Sequence, residues 1–406
     1  MNKDEFNKEL LGFLDASPTP FHATKNIKEK LLDEGYIELD ERDEWSLEFA
    51  KNYFITRNDS SIIAFNYYDS LEYLFLLSHT DSPNLKLKPN PTIKEHGATK
   101  LGVEPYGGVL YSTWFDRDLS LAGRVNFIKD TKLDQKLIDF KKPIATIPSL
   151  AIHLDREANK EKTINAQNDL PPLVGSDINI EEMILKELQA DELLSYELSF
   201  YDTQKASFVG AKDEFILSAR LDNLLSCFVG TKSLVKLKDK PIFFFASDHE
   251  EVGSSSVAGA DGSFLEDVLL RVFGSKKPQM ARSSMAISMD NAHAIHPNFA
   301  QKHDLNHAPH INKGVVVKIN SNHRYASNSN TIARFKLATK KAGENLQDFV
   351  TRSDMGCGST IGPIVSSKIG IDTIDVGVPT FAMHSIRESC GSDDTYSLYN
   401  ILLGFY

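Results

Sequence analysis

The sequence predicts an α/β protein in which one α/β domain, built from two separate stretches of chain, is interrupted by a β-rich insertion. Three observations carry that expectation. Helical and strand-type apolar patterns alternate over residues 1–87, and the alternation returns over 214–406 from "FILSARLDNLLSCFVGTKSL" onward. Between them, over 88–213, the chain changes to short β segments, turn signals and polar loops such as "EPYGGVLYSTWFDRDLSLAGRV". The 406 residues are enough for two such domains.

Phe6, Leu10, Phe13 and Leu14 recur on one helical face, and the two prolines of "SPTPF" end that helix because the residue before a proline avoids the α region. "HATKNIKEKLLDEG" predicts a second helix closed by a capping glycine. "NYFITRN", "SIIAFNYY" and "LEYLFLLSH" follow as neighbouring strands. The last is apolar throughout, as a strand covered on both faces should be. No internal repeat is present.

Composition narrows the function. A formal net charge of −11 with no basic stripe excludes a nucleic-acid footprint. No apolar run reaches the roughly 18 residues of a membrane helix. The N-terminal "MNKDEFNKELLGFLDASPTPF" lacks a signal-peptide core. Cys227, Cys357 and Cys390 are odd in number and widely spaced, so reduced thiols in a cytoplasmic protein are expected.

The chemistry gathers where apolar runs end. "LFLLSHTDSP" ends on His79 and Asp81, "FFFASDHEE" on Glu250 and Glu251, and "MAISMD" on Asp290. Asp222 stands before an apolar helical stretch, and His384 follows the strand pair of "GIDTIDVGVPTFAMHS". Open α/β sheets place ligand sites outside the carboxyl ends of their strands. Taken singly, an Asp before a helix is a cap and a His after a strand is a satisfied polar residue. Converging on one rim, these carboxylates would repel unless a cation neutralised them.

Imidazole with carboxylate suits Zn²⁺, with Mn²⁺ or Co²⁺ as alternatives. Thiolate-rich structural zinc is excluded by the lack of any Cys-x-x-Cys pair. Five ligands exceed the needs of one open zinc, and a two-ion site sharing one bridging carboxylate uses them. One glutamate of the Glu250–Glu251 pair can then bind metal while the other acts as general base toward water, if the following Gly/Ser turn aims both inward.

These segments resemble the M18 metallo-aminopeptidases, the aspartyl aminopeptidase group among dinuclear-zinc exopeptidases. "ASPTPFHA", "SHTDSP", "STWFDRDLSLAGRV", "AIHLDR", "RLDNL", "HEEVGS", "MDNAHAIHPNF", "INSNHRYASN", "GCGSTIGPI" and "MHSIRE" carry the resemblance along nearly the whole chain. It implies a dinuclear-zinc exopeptidase-type domain, a central mixed sheet flanked by helices, over 1–87 and 214–406. Residues 88–213 would be a dimerisation and assembly domain.

By the same resemblance, His79, Asp222 and Asp290 would hold one ion, and Asp222, Glu251 and His384 the other, with Asp222 bridging. Glu250 would be the base activating a metal-bridging water, and Asp81 would orient His79. His153 would reach a neighbouring subunit's active site, His293 and His296 would lie near substrate, and Lys318 would face its side chain. Two divalent ions per subunit, peptides with a free N-terminus and dimers assembling to a dodecamer are also implied. "SDMGCGST" departs from the family pattern, with Gly356 where relatives often carry proline.

The positive charge of Lys318 predicts a preference for N-terminal Asp or Glu. The alternative is a structural ion pair at Lys318 and a Leu-type preference. A metallo-carboxypeptidase or deacylase, and a non-catalytic assembly protein, are the remaining alternatives. His303, His307 and His310 are assigned to a polar loop because Pro309 breaks helical spacing, and Cys357 to a buried structural thiol. "GSSSVAGADGS" lacks the Gly-Lys-Ser/Thr ending of a phosphate loop.

Overall fold

A computed structural model describes residues 1–161 and 163–406. The chain divides into two compact bodies: Met1–Asp81 with Ala206–Met383 and Glu388–Tyr406, and Ser82–Lys205 with His384–Arg387. The cuts fall at 81/82 and 205/206, several residues before the changes of composition at 87/88 and 213/214. The short return segment 384–387 also joins the second body.

The first body is built on a nine-stranded mixed sheet. Its strands are β1 (Ile37–Glu38), β2 (Asn52–Arg57), β3 (Ser61–Asn66), β4 (Leu74–His79), β5 (Ile242–Ser247), β6 (Met285–Met289), β7 (Val315–Ile319), β8 (Leu346–Val350) and β9 (Asp372–Gly377). They lie in the order β1-β2-β3-β5-β4-β6-β9-β7-β8. The four central strands β5, β4, β6 and β9 run parallel, so their carboxyl ends share one edge of the sheet.

Alternation of side chains assigns each strand to two cores. Leu74 and Leu76 of β4 and Phe244 and Ala246 of β5 join one cluster with Phe6, Leu10 and Leu14 of helix α1 (Lys3–Ala16). Phe75, Leu77, Phe243 and Phe245 join the other, with Phe264, Ile361 and Val365. Burial on both faces is why these runs read as continuously apolar. Helix α1 opens with a capping box from Asn2 and Glu5 and ends at Ala16, just before Pro18. Helix α2 (Pro20–Asp33) is followed by Gly35 at a φ of 84°.

A smaller five-stranded sheet in the same body includes Phe215–Ser218, Glu388–Gly391 and Pro379–Phe381. The second body carries a six-stranded antiparallel sheet that includes Asn84–Glu95, Ala98–Tyr106, Leu119–Lys129 and Glu192–Asp202. Its own core contains Leu85, Leu121, Phe127 and Ile184.

Candidate metal centre

Parallel pairing sets the site's layout. Ser247 of β5 pairs with His79 of β4, and Leu77 of β4 with Ser288 of β6, so the segments after all three strands leave the sheet together. Past β5 the chain reverses through His249, which has a φ of 62°, and Glu250–Val252 form a single 3₁₀ turn. Strand alternation would send Glu250 and Glu251 to opposite faces. The reversal removes that constraint, and both backbone N–H groups donate to the Asp81 carboxylate, Glu250 to Oδ1 and Glu251 to Oδ2, each at 3.1 Å.

Asp222 lies at the start of helix α3 (Leu221–Lys236), where its φ of −84° and ψ of 104° depart from helical values. Its N–H donates to Glu388 Oε2 at 2.9 Å. Next to it, the Asn223 amide donates to the Met289 carbonyl at 2.8 Å. These bonds join the start of α3 to the strand at 388–391 and to the end of β6.

His79 is the hub. Nδ1 faces Asp81, 3.1 Å from its carbonyl oxygen and 3.3 Å from Oδ1. Donation from Nδ1 leaves Nε2 as the free lone pair. Nε2 lies 3.4 Å from Asp222 Oδ1, 3.8 Å from Asp290 Oδ1 and 4.0 Å from Glu250 Oε2. Ligand atoms about 2.1 Å from a tetrahedral zinc are themselves roughly 3.4 Å apart, so the spacing suits a shared cation.

His79, Asp222 and Asp290 each offer a ligand atom with all such atoms within 4.8 Å of one another, as do His79, Glu250 and Glu251. The protonation energetics agree. Burial, reinforced by Asp290, Asp81 and Asp222, pushes Glu250 up to about 8. Burial and Asp222 likewise raise Glu251. Burial works against a charged His79, yet Asp222, Asp290 and Asp81 raise it well above its ordinary value. Carboxylates that must otherwise take up protons are what a divalent cation relieves. The residues present therefore fit zinc.

The other expected site residues lie as follows. Lys318, on β7, is 2% exposed, and its ammonium donates to Asp290 Oδ2 and to the Asn291 carbonyl, both at 3.2 Å. Burial works against the Asp290 charge, but Lys318 and His79 hold it below the ordinary carboxylate range. His293 is exposed and His296 half-buried. Both line a cavity of about 330 Å³ together with His303, Tyr325, Phe349 and Cys357.

Cys357, expected to be a buried thiol, is only half-buried and accepts a hydrogen bond from Thr351 Oγ1 at 3.2 Å. His303, His307 and His310 do not converge. His303 faces the cavity, His307 pairs with Asp304, and the His310 N–H donates to the Gln347 side chain.

Two expected residues belong to the second body. His384 has a φ of 68°, and its Nδ1 sits 3.1 Å from the Gly108 carbonyl. His153 is exposed on a turn whose neighbours Leu150, Ile152 and Leu154 are exposed apolar side chains.

Glu388 was not singled out by the sequence reading. It is buried at 2% exposure and fixes the Asp222 backbone from 166 residues away. Its place two residues before Cys390 in an ordinary strand gives no local signal. Cys227 is also supportive: fully buried, with burial pushing its thiol up to about 12, it donates to the His79 carbonyl at 3.0 Å.

Comparison with known proteins places this chain in a family. Residues 13–406 match the family described as aminopeptidase I zinc metalloprotease (M18). A probable M18 family aminopeptidase 2 of Pseudomonas aeruginosa (strain UCBPP-PA14) is 52% identical over 99% of this chain and 98% of its own. A chain of the cryo-EM structure of the Ape4 and Nbr1 complex superposes with a TM-score of 0.96 at 35% identity, covering 99% of this chain and 85% of that one. The S. cerevisiae mApe1 dodecamer gives 0.87 at 26% identity, covering 99% and 96%. The chain belongs to the M18 family of zinc metalloproteases and is a metallo-aminopeptidase.

Proposed function

We propose that the protein removes N-terminal residues from peptides with two divalent ions per subunit, zinc in the first instance, and that it prefers N-terminal Asp or Glu. The observation that carries the metal reading is the meeting of His79 Nε2 with Asp222, Asp290 and Glu250 at the carboxyl ends of parallel strands. His79, Asp222 and Asp290 would hold one ion, and Asp222, Glu251 and His384 the other. Such ions, when bound, polarise the scissile carbonyl and make an attacking water acidic near neutral pH.

Glu250 is the general base: its burial favours taking up the water's proton, which it then delivers to the leaving amine. Asp81 orients His79 and holds the turn that carries the base.

Acidic specificity is supported by the cavity that His293 and His296 line. His293, His296, Lys302 and Arg352 line it, and no Asp or Glu is among its described lining residues. A Leu-type preference has its own support, because Lys318 is already paired with Asp290. We assign the 88–213 segment to assembly, as dimers building a dodecamer, with His153 reaching a neighbouring active site from its exposed apolar turn. Three unpaired cysteines fit a reducing compartment, and we place the protein in the cytoplasm. No helix among the described residues is long and apolar enough to cross a membrane.

The test is release of free amino acids from unblocked and N-acetylated peptides in added zinc or manganese, with elemental analysis of wild type and Asp222→Asn. Cleavage of only the unblocked peptides, and loss of both ions in Asp222→Asn, are expected. Equal cleavage of acetylated peptides would favour the deacylase or carboxypeptidase alternative, and two ions retained in Asp222→Asn would remove its bridging role.

A further inference from the structure

Asp375 lies in the middle of the core and is given no role above, although the Lys318 ammonium that pairs with Asp290 also favours its charge. It sits on β9 between Ile374 and Val376 and is fully buried. An unpaired carboxylate there would be costly, so its partners show what it is for. Oδ1 accepts from Thr360 Oγ1 at 2.6 Å, and Oδ2 accepts from the Ala326 N–H at 2.6 Å. The Asp375 N–H donates to Ser327 Oγ at 2.9 Å.

Local structure is bent to serve these bonds. Thr360 occupies the cap position of the helix Ile361–Ile369, yet its hydroxyl does not cap that helix and goes to Asp375 instead. Within the first turn, residue 362 is glycine for a steric reason: a Cβ there would lie 2.4 Å from Asp375 Oδ1. The carboxylate is thus packed against the first turn of that helix, where backbone N–H groups favour negative charge.

Both tied segments are walls of the 330 Å³ cavity. Tyr325 precedes Ala326, its ring 5.1 Å from the Lys318 ammonium and 6.5 Å from Phe349. Gly356, Cys357 and Gly358 lead into Thr360, and Tyr325 and Cys357 both line the cavity. Besides Asp375, the segments are linked by a 3.3 Å bond from Ser359 Oγ to the Arg324 carbonyl and by a direct side-chain interaction of Tyr325 with Cys357.

We propose that Asp375 is a positioning residue for peptide binding: from behind the cavity it sets the separation of the Tyr325 and Cys357 walls. Its effect on peptides rests on the reading above that this cavity receives part of the substrate. Asp375 touches none of the proposed metal ligands through a described hydrogen bond. It therefore acts on KM and leaves kcat and metal content in place.

The experiment compares wild type, Asp375→Ala, Asp375→Asn and Thr360→Val as metal-loaded protein. Two readouts are taken: peptide kinetics, and the rate at which N-ethylmaleimide alkylates Cys357, located by peptide mapping. Asn can still accept from the Ala326 N–H and donate to the Thr360 hydroxyl, so it should restore what Ala loses. Expected for Asp375→Ala are a KM raised about tenfold with kcat within about threefold of wild type, and faster alkylation of Cys357. Asp375→Asn should lie close to wild type on both. Thr360→Val, which deletes one bond with little change of shape, should move in the same direction and stands in if Asp375→Ala does not fold.

An unchanged alkylation rate in Asp375→Ala or Thr360→Val overturns the positioning role whatever the substrate is. A fall in kcat at constant KM overturns it too, since that is the signature of general structural damage. Faster alkylation with peptide KM unchanged would keep the wall-setting role and overturn the reading of the cavity as a substrate site.

Discussion

The Lys318 ammonium lies 3.2 Å from Asp290 Oδ2, with both groups almost wholly out of solvent. One cation thereby neutralises a carboxylate proposed to bind metal, and it belongs to the same Lys318 that the family resemblance sets facing the substrate's side chain. Removing Lys318 would leave Asp290 buried without its partner, which is more costly than losing an exposed pair.

The specificity proposal is decided by kcat/KM for Asp-, Glu- and Leu-leading peptides in wild type and Lys318→Met. If Lys318 serves acidic substrates, the variant loses at least about tenfold on Asp and Glu peptides relative to Leu peptides. Should the wild type cleave Leu peptides best, and the variant lose all three equally, Lys318 is a structural partner of Asp290 and the preference is neutral.

Glu250→Gln preserves the backbone N–H that donates to Asp81 Oδ1, so the turn should hold. Metal content should stay near wild type while kcat falls on the order of 10² to 10⁴, the scale of general-base loss. Turnover near wild type in the Gln variant would remove the base assignment.

Asp81 has two tasks in the same side chain, facing His79 Nδ1 and accepting from Glu250 and Glu251. Asp81→Ala should weaken zinc affinity about 10- to 100-fold, as loss of a ligand's supporting partner generally does. Competition with a fluorescent chelator measures it. Unaltered affinity would show that His79 and the turn are held without Asp81.

Metal removal should make stability pH-dependent. Glu250 is raised to about 8 from 4.5, and Glu251 and His79 are raised as well. Between the unfolded and folded values the metal-free protein holds more protons than the unfolded chain. Its stability is then fully present below about pH 4.5 for the glutamates and is lost as pH rises through their folded values. Asp290 is shifted the other way, so its contribution is present above the ordinary carboxylate range and is lost only as pH falls into acid. The Tm of chelated protein should fall between about pH 5 and 9 while that of zinc-loaded protein falls less. Parallel curves with and without zinc would show that the ion does not neutralise this cluster.

The proposed reach of His153 across a subunit boundary can be tested by complementation. Mixing inactive Glu250→Gln with inactive His153→Ala subunits should restore part of the activity, because a mixed dimer can hold one intact site. No recovery in a mixture shown to exchange subunits would confine His153 to its own chain or remove it from the reaction.

The amino-acid sequence by itself determined the places where chemistry collects, because the signals are local. Apolar runs covered on both faces show where β4, β5 and β6 stop: His79 is the last residue of β4, Asp290 follows β6 directly, and Glu250 and Glu251 come in the turn after Asp248 and His249 past β5. What such runs leave open is which groups partner one another. Asp81 supporting both His79 and the Glu250 turn, Glu388 holding Asp222 across 166 residues, Lys318 turned to Asp290, and Asp375 tying residue 326 to residue 360 were decided by tertiary structure. Periodicity records only whether a side chain faces the core. The partner of a buried polar group is set by strand order and loop reversal, which bring distant segments to the same point once the core has packed.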